Sequence, residues 1–154
     1  MLFALATLFS FASHQSLPSA SELTIRSGQL SSLKYLTPVK GSKSVRLQLI
    51  DGSWFQYSSK AGDIEAVYRA LQRNGGELLQ VGYVNGFSGS PVGDERQFHN
   101  VLSLQIGSQT VRSYQQIEKA WKSDNQFAVM VSKGLFIGST LLLLFGGAVR
   151  FRGQ

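Results

Sequence analysis

The sequence predicts a mainly β chain with one or two helices, an α+β domain, followed by a C-terminal transmembrane helix. Three observations predict it. Between residue 22 and about residue 126, apolar residues mostly alternate with polar ones at the period of two expected of half-buried strands. One stretch, Ile64, Val67, Tyr68 and Leu71, follows the helical spacing i, i+3, i+4, i+7 instead. From Phe127 to Val149 the chain reads FAVMVSKGLFIGSTLLLLFGGAV, 23 residues with one charge. As a helix at 1.5 Å per residue this stretch is roughly 34 Å long, enough to cross a bilayer.

The first 21 residues begin with an apolar run of about twelve, too short to span. The run resembles the hydrophobic region of a signal peptide, and Ser19, Ala20 and Ser21 supply small residues for cleavage, although no Lys or Arg precedes it. A cleaved signal, a short uncleaved anchor and a start codon assigned downstream of the true one all fit this pattern. An export role is the expectation.

Residues 22–113 form the β-rich part. Leu23 and Ile25 alternate with polar neighbours, and Leu33 and Tyr35 do so in the opposite parity after Gly28, which predicts a bulge or bend. Val45, Leu47 and Leu49 lead through Asp51-Gly52 into Trp54-Phe55-Gln56-Tyr57, a hairpin with a two-residue turn. That turn pairs Leu49 with Trp54 and Leu47 with Gln56 on one face, Gln48 with Phe55 and Arg46 with Tyr57 on the other. A turn longer by one residue exchanges the two faces.

Asp63 is placed as the N-cap of the helix, with Gly75-Gly76 as its stop. Leu79, Val81 and Tyr83, then Leu102, Leu104 and Ile106, alternate in two further strands. Gly107-Ser108 turns the second of these back through Gln109 to Ser113. Tyr114, Ile117 and Trp121 share a helical face, so residues 114–126 read as a connecting helix into the span at 127–149, with a basic tail at 150–154.

Three strands, a helix and two or three more strands follow the element order of the OB-fold, in which a helix bridges strands three and four. The chain resembles that fold in element order alone, over roughly residues 22 to 113. The resemblance implies a small barrel or sheet of five or six strands. A different small sheet domain with a covering helix is the rival.

Composition narrows the chemistry. The 154 residues contain no Cys and two His, His14 and His99, which excludes disulfides, thiolate metal sites and cysteine nucleophiles. No cofactor or metal is expected. Of the 15 basic residues, Lys133, Arg150 and Arg152 belong to the membrane end, so the globular part is only slightly basic against 9 acidic residues, and nucleic acid is not the expected partner. Gly41-Ser42-Lys43-Ser44 lacks the adjacent Gly-Lys and the following helix of a phosphate loop. Gly86-Phe87-Ser88-Gly89 lacks the spacing of a nucleophile elbow. Asp94, Glu95 and His99 read as a solvated turn, since neither a nucleophile nor a third ligand accompanies them. The chain is not expected to be an enzyme.

What remains are contact surfaces. Lys40, Lys43 and Arg46 gather around the hairpin beside Phe55 and Tyr57, aromatic and cationic together, with Phe87 as the apolar anchor of the long loop from Asn85 to Arg96. Gly134 and Gly138 form a small-xxx-small pair for helix packing, which allows homo-oligomers. Trp121, Arg150 and Arg152 are the interfacial anchors, and Lys133 snorkels to the headgroups. Basic residues flank the span on both sides, Arg112, Lys119 and Lys122 before it and Arg150 and Arg152 after it, so orientation rests on the N-terminal segment. The expected protein is a single-pass module of the plasma (inner) membrane with an extracytoplasmic β domain and a cytoplasmic C-terminus. It meets lipid and an integral membrane protein, as an accessory subunit of a membrane complex. The alternative is a tail-anchored cytoplasmic OB-like protein that binds nucleic acid or nucleotide.

Overall fold

The computed structural model describes residues 16–37, 42–88, 94 and 96–151, with side chains as far as residue 137. Leu17–Trp121 is a compact unit of its own, and the helix beyond it belongs to a second. The described elements, in order, are β1 (Thr24–Gly28), β2 (Leu30–Leu36), β3 (Ser44–Leu49), β4 (Trp54–Ser58), α1 (Ile64–Asn74), β5 (Leu79–Tyr83), β6 (His99–Asn100), β7 (Ser103–Ile106), β8 (Gln109–Arg112) and α2 (Tyr114–Phe151). Two short 3₁₀ turns, Ala20–Glu22 and Ser59–Ala61, precede β1 and α1. The fold is α+β, with two α-helices and two four-stranded sheets, ordered β1-β5-β7-β8 and β2-β3-β4-β6.

The parity switch after Gly28 is where the chain changes sheets. Gly28 ends β1 against Leu79 of β5, and two residues later Leu30 opens β2 against Leu49 of β3, with a register shift by Ser32. Gly28 permits this close passage, since a Cβ there would lie 3.2 Å from the Leu49 side chain. A second exchange occurs between β6 and β7. The Val101 N–H donates to the Gln56 carbonyl in one sheet, and the Leu102 N–H to the Gly82 carbonyl in the other.

Both exchanges correct the expectation of a barrel. The strands are divided at Gln29 and again at Val101-Leu102, and among the described residues neither sheet closes on itself. The described strand segments number eight rather than five or six, since the first strand read in sequence is cut in two after Gly28 and the short β6 precedes the strand read at Leu102, Leu104 and Ile106.

One core lies between the sheets and under α1. Val45, Leu47, Leu49, Phe55, Tyr57, Leu79, Val81, Leu104 and Ile106 enter it from the strands at every second position. Ile64, Val67 and Leu71 enter from α1 and Ile117 from the first turn of α2. The helix begins after Asp63 and stops at Gly75, as its spacing predicts.

The hairpin differs from expectation by one residue. Leu49 N–H donates to the Ser53 carbonyl at 3.0 Å and Gly52 N–H to the Leu49 carbonyl at 2.9 Å, which makes a three-residue loop with Gly52 at φ +88°. The register is therefore Gln48 with Trp54, Leu47 with Phe55, Arg46 with Gln56 and Val45 with Tyr57. The two faces are exchanged, and Phe55 and Tyr57 point into the core.

The predicted transmembrane helix needs a correction of a different kind. α2 runs unbroken from Tyr114 to Phe151. Among the described residues, however, no helix is long and apolar enough to cross a membrane. Residues 138–149, the most apolar part of the predicted span, lie outside the residues whose side chains are described. The signal-like segment at residues 1–15 also lies outside the described residues.

Candidate contact surfaces

On the outer face of β3 and β4, opposite the core, the register brings Arg46, Gln48, Trp54 and Gln56 together. Phe98, just before β6, packs onto this face and is fully buried there. Its ring meets Trp54 edge-on at 5.6 Å between centroids, and the Arg46 guanidinium lies 4.5 Å above it. Arg96 reaches over Trp54 at 4.7 Å. Asp94 ties the two arginines, accepting from Arg96 at 2.7 Å on each oxygen and from Arg46 at 3.3 Å. The Arg96 hydrogen bond pulls the Asp94 carboxyl down to about 2 against the opposing effect of burial, with the Arg46 charge adding to the pull. Arg46 Nε also donates to Gln56 at 3.3 Å.

A second polar cluster locks the entry to α1. The Tyr57 hydroxyl reaches the Ala61 and Gly62 carbonyls at 2.9 and 2.5 Å, and burial pushes the phenol up to about 12. Arg112, from β8, donates to the same Ala61 carbonyl at 2.8 Å and to the Asp63 carboxylate at 2.6 Å. Asp63 thus caps α1 with its backbone in the left-handed region, φ 45°, and its side chain makes no capping bond. The carboxylate serves Arg112 instead.

The residues singled out in sequence are dispersed. Lys43 pairs with Glu65 of α1 at 2.8 Å, and Tyr35 donates to the same carboxylate at 3.0 Å. The Lys43 hydrogen bond holds Glu65 below the usual carboxylate range, and Glu65 raises Lys43 in return. Arg46 belongs to the Phe98 cluster, while Phe55 and Tyr57 are in the core. Phe87 packs against the core and stands 6.1 Å from Trp121, ring to ring. Trp121 is 7% exposed, with the Lys60 ammonium 5.3 Å from its ring, so it anchors the start of α2 to the domain. Gly134 meets open space where a Cβ would stand. Lys40, Gly138, Arg150, Arg152 and Glu95 lie outside the residues whose side chains are described.

His99 packs at a tilt against Tyr83, 4.6 Å between ring centroids, and lies 5.8 Å from Phe55, and its buried Nδ1 has no hydrogen-bond partner among the described residues. Burial lowers its pKa, helped by the Arg26 charge. No set of three His, Asp or Glu among the described residues is placed to hold a metal ion.

Sequence reasoning missed Trp54, Arg96 and Phe98. Their signal was available: with the turn lengthened by one residue, Trp54 falls on the face of Arg46, and Arg96-Gln97-Phe98 presents a cation and a ring on one side of an extended segment. No protein-family model, curated protein or solved structure matches the chain.

Proposed function

We propose that this chain is a membrane-anchored, non-enzymatic interaction module, an α+β domain held at the bilayer by the C-terminal part of α2. One observation carries the reading. The helix whose first turns are built into the core through Ile117 and Trp121 continues without a break and exposes Phe127, Met130, Phe136 and Ile137 to at least half of their surface. Such a run of exposed large apolar side chains fits lipid or an apolar partner far better than water. The sequence beyond it, TLLLLFGGAV, extends the same character.

Further support concerns the domain itself. The chain passes from β1 to β2 over one residue, α1 lies between β4 and β5, and β4 pairs in parallel with β6. This connectivity agrees with an OB-like order in which β1-β2 and β6-β7 each stand for one strand shared between the two sheets. The signal-like N-terminal sequence favours an extracytoplasmic domain, with Arg150 and Arg152 on the cytoplasmic side. Few residues separate Trp121 from Phe127, so tethering raises the effective concentration of the domain toward lipid headgroups or an integral membrane partner. The nucleic-acid alternative loses its stacking platform, because Phe55 and Tyr57 are internal.

The full-length chain is expected to sediment with alkali-washed membranes and to enter solution only with detergent. Recovery in the aqueous fraction overturns the anchor. For sidedness, the chain has no Cys, so Ile50→Cys at the exposed hairpin tip adds a single thiol. A membrane-impermeant maleimide is expected to label it on intact cells, and labelling only after lysis overturns the extracytoplasmic placement.

A further inference from the structure

The face of the β1-β5-β7-β8 sheet that points away from the core carries an open cleft of about 220 Å³. Side chains paired across an antiparallel ladder share a face, so the register sets its floor. Gln80 pairs with Gln105, Gln105 with Thr110, and Gly82 with Ser103. These positions alternate with Leu79, Val81 and Leu104, which face the core. Ile25, paired with Gly82 and 54% exposed, stands at one rim and Tyr114 at another. The Tyr114 hydroxyl donates to the Pro18 carbonyl at 2.7 Å, which holds its ring in place. Gly82 leaves room for the side chains that cover it: a Cβ there would run into the Ser103 hydroxyl and come within 3.3 Å of Ile25.

Beside the apolar Leu23 and Ile25, the lining carries primary amides and hydroxyls, each able to donate and to accept. Gln105 is oriented by its Nε2 donating to the Gly107 carbonyl at 3.0 Å. The side chains of Gln80, Ser103 and Thr110 make no hydrogen bond among the described residues. The charged residue in the lining is Arg112, and the Asp63 carboxylate at 2.6 Å already compensates it. A ligand of either charge therefore finds no counter-ion here. What fits is a neutral molecule dense in hydroxyls on its edge and apolar on its face.

We propose that this cleft binds a single neutral sugar ring of a glycan, with its hydroxyls on the Gln80, Ser103, Gln105 and Thr110 side chains and its C–H face against Leu23 and Ile25. The volume lies below the ~300–1,000 Å³ of ordinary small-molecule sites, which limits the buried part to one ring. A strand-adding peptide would use the backbone of a sheet edge and leave these side chains idle. The site is independent of the anchor and of the side of the membrane on which the domain stands.

Saturation-transfer NMR tests it, on the full chain in a zwitterionic detergent without a sugar headgroup. The probes are the tetramer of N-acetylglucosamine, maltotetraose and a capped tetra-alanine peptide. Transfer to at least one of the two sugars is expected, falling at least fivefold in both Gln80→Ala/Gln105→Ala and Thr110→Arg, and unchanged in Gln48→Ala on the other sheet. Absence of transfer to both sugars, equal transfer to the peptide, or transfer that survives both cleft variants overturns the proposal.

Discussion

At the residue scale, Tyr57 and His99 carry the clearest consequences. The Tyr57 phenol is in the core, and burial raises its pKa to about 12, above the ordinary value of 10.0. Between those values the unfolded chain loses this proton before the folded one, so stability falls as pH rises from about 10 to about 12. At 1.36 kcal/mol per unit, the loss is roughly 2 to 3 kcal/mol. Urea unfolding at pH 9 and pH 11 is expected to show about half of this loss, ~1.4 kcal/mol, in the wild type and not in Tyr57→Phe. At neutral pH that variant is less stable by ~1 kcal/mol, a small cost because Arg112 still donates to the Ala61 carbonyl. His99 has the opposite dependence. Its pKa is lowered from 6.5 chiefly by burial, so the unfolded state takes up a proton first on acidification and stability declines below about pH 6.5. Titration of the His99 ring by NMR is expected to give a midpoint below 6.5, and His99→Gln is expected to flatten the decline in unfolding free energy between pH 7 and pH 5. A midpoint at or above 6.5 contradicts the assignment.

The β3-β4 hairpin decides which side chains are structural at the element scale. A three-residue loop with Gly52 at φ +88° puts Phe55 beside Leu47 and Tyr57 beside Val45, all buried, and leaves Trp54 and Arg46 for the outer face. Phe55→Ala should cost ~3 to 5 kcal/mol, the usual loss for an emptied aromatic site in a core. Phe55→Ala and Trp54→Ala can be compared by denaturant unfolding, with Trp54→Ala expected to cost clearly less because its ring is only partly covered. A larger cost for Trp54→Ala than for Phe55→Ala would mean that the register is the other one. The outer face owes its order to Phe98, which sits beneath the Arg46 guanidinium and beside Trp54, with Asp94 between the two arginines. A charged pair with an ordered aromatic under it loses less freedom on closing than two free surface side chains, which is why this loop end holds its place.

The scale of the whole molecule turns on α2. If residues 127–149 lie in lipid, a carboxylate in the middle of that segment costs ~2.5 to 3.5 kcal/mol per position. Ile137→Asp with Leu141→Asp is therefore expected to lower the membrane-bound fraction severalfold. The near-UV circular dichroism of the domain should be unchanged, because the core is closed by Ile117 and Trp121 further up the helix. Retention of the double variant in washed membranes would count against the anchor.

Local periodicity was enough to find the alternating core residues of β3, β5 and β7, the limits of α1 and the chain bend after Gly28, because each is written within a few residues of itself. Distant partners supplied the rest. Asp-Gly accommodates loops of two or three residues, and only the buried volume on one side of the hairpin selects the longer one and sends Phe55 inward. The Asp63 carboxylate leaves its own helix for Arg112, 49 residues away in the chain. Phe98 finds Trp54 across the length of a helix and a strand. Whether strands close a barrel or remain two sheets depends on ladders interrupted at Gln29 and Val101-Leu102, where backbone partners are set by packing and not by the residues at the break.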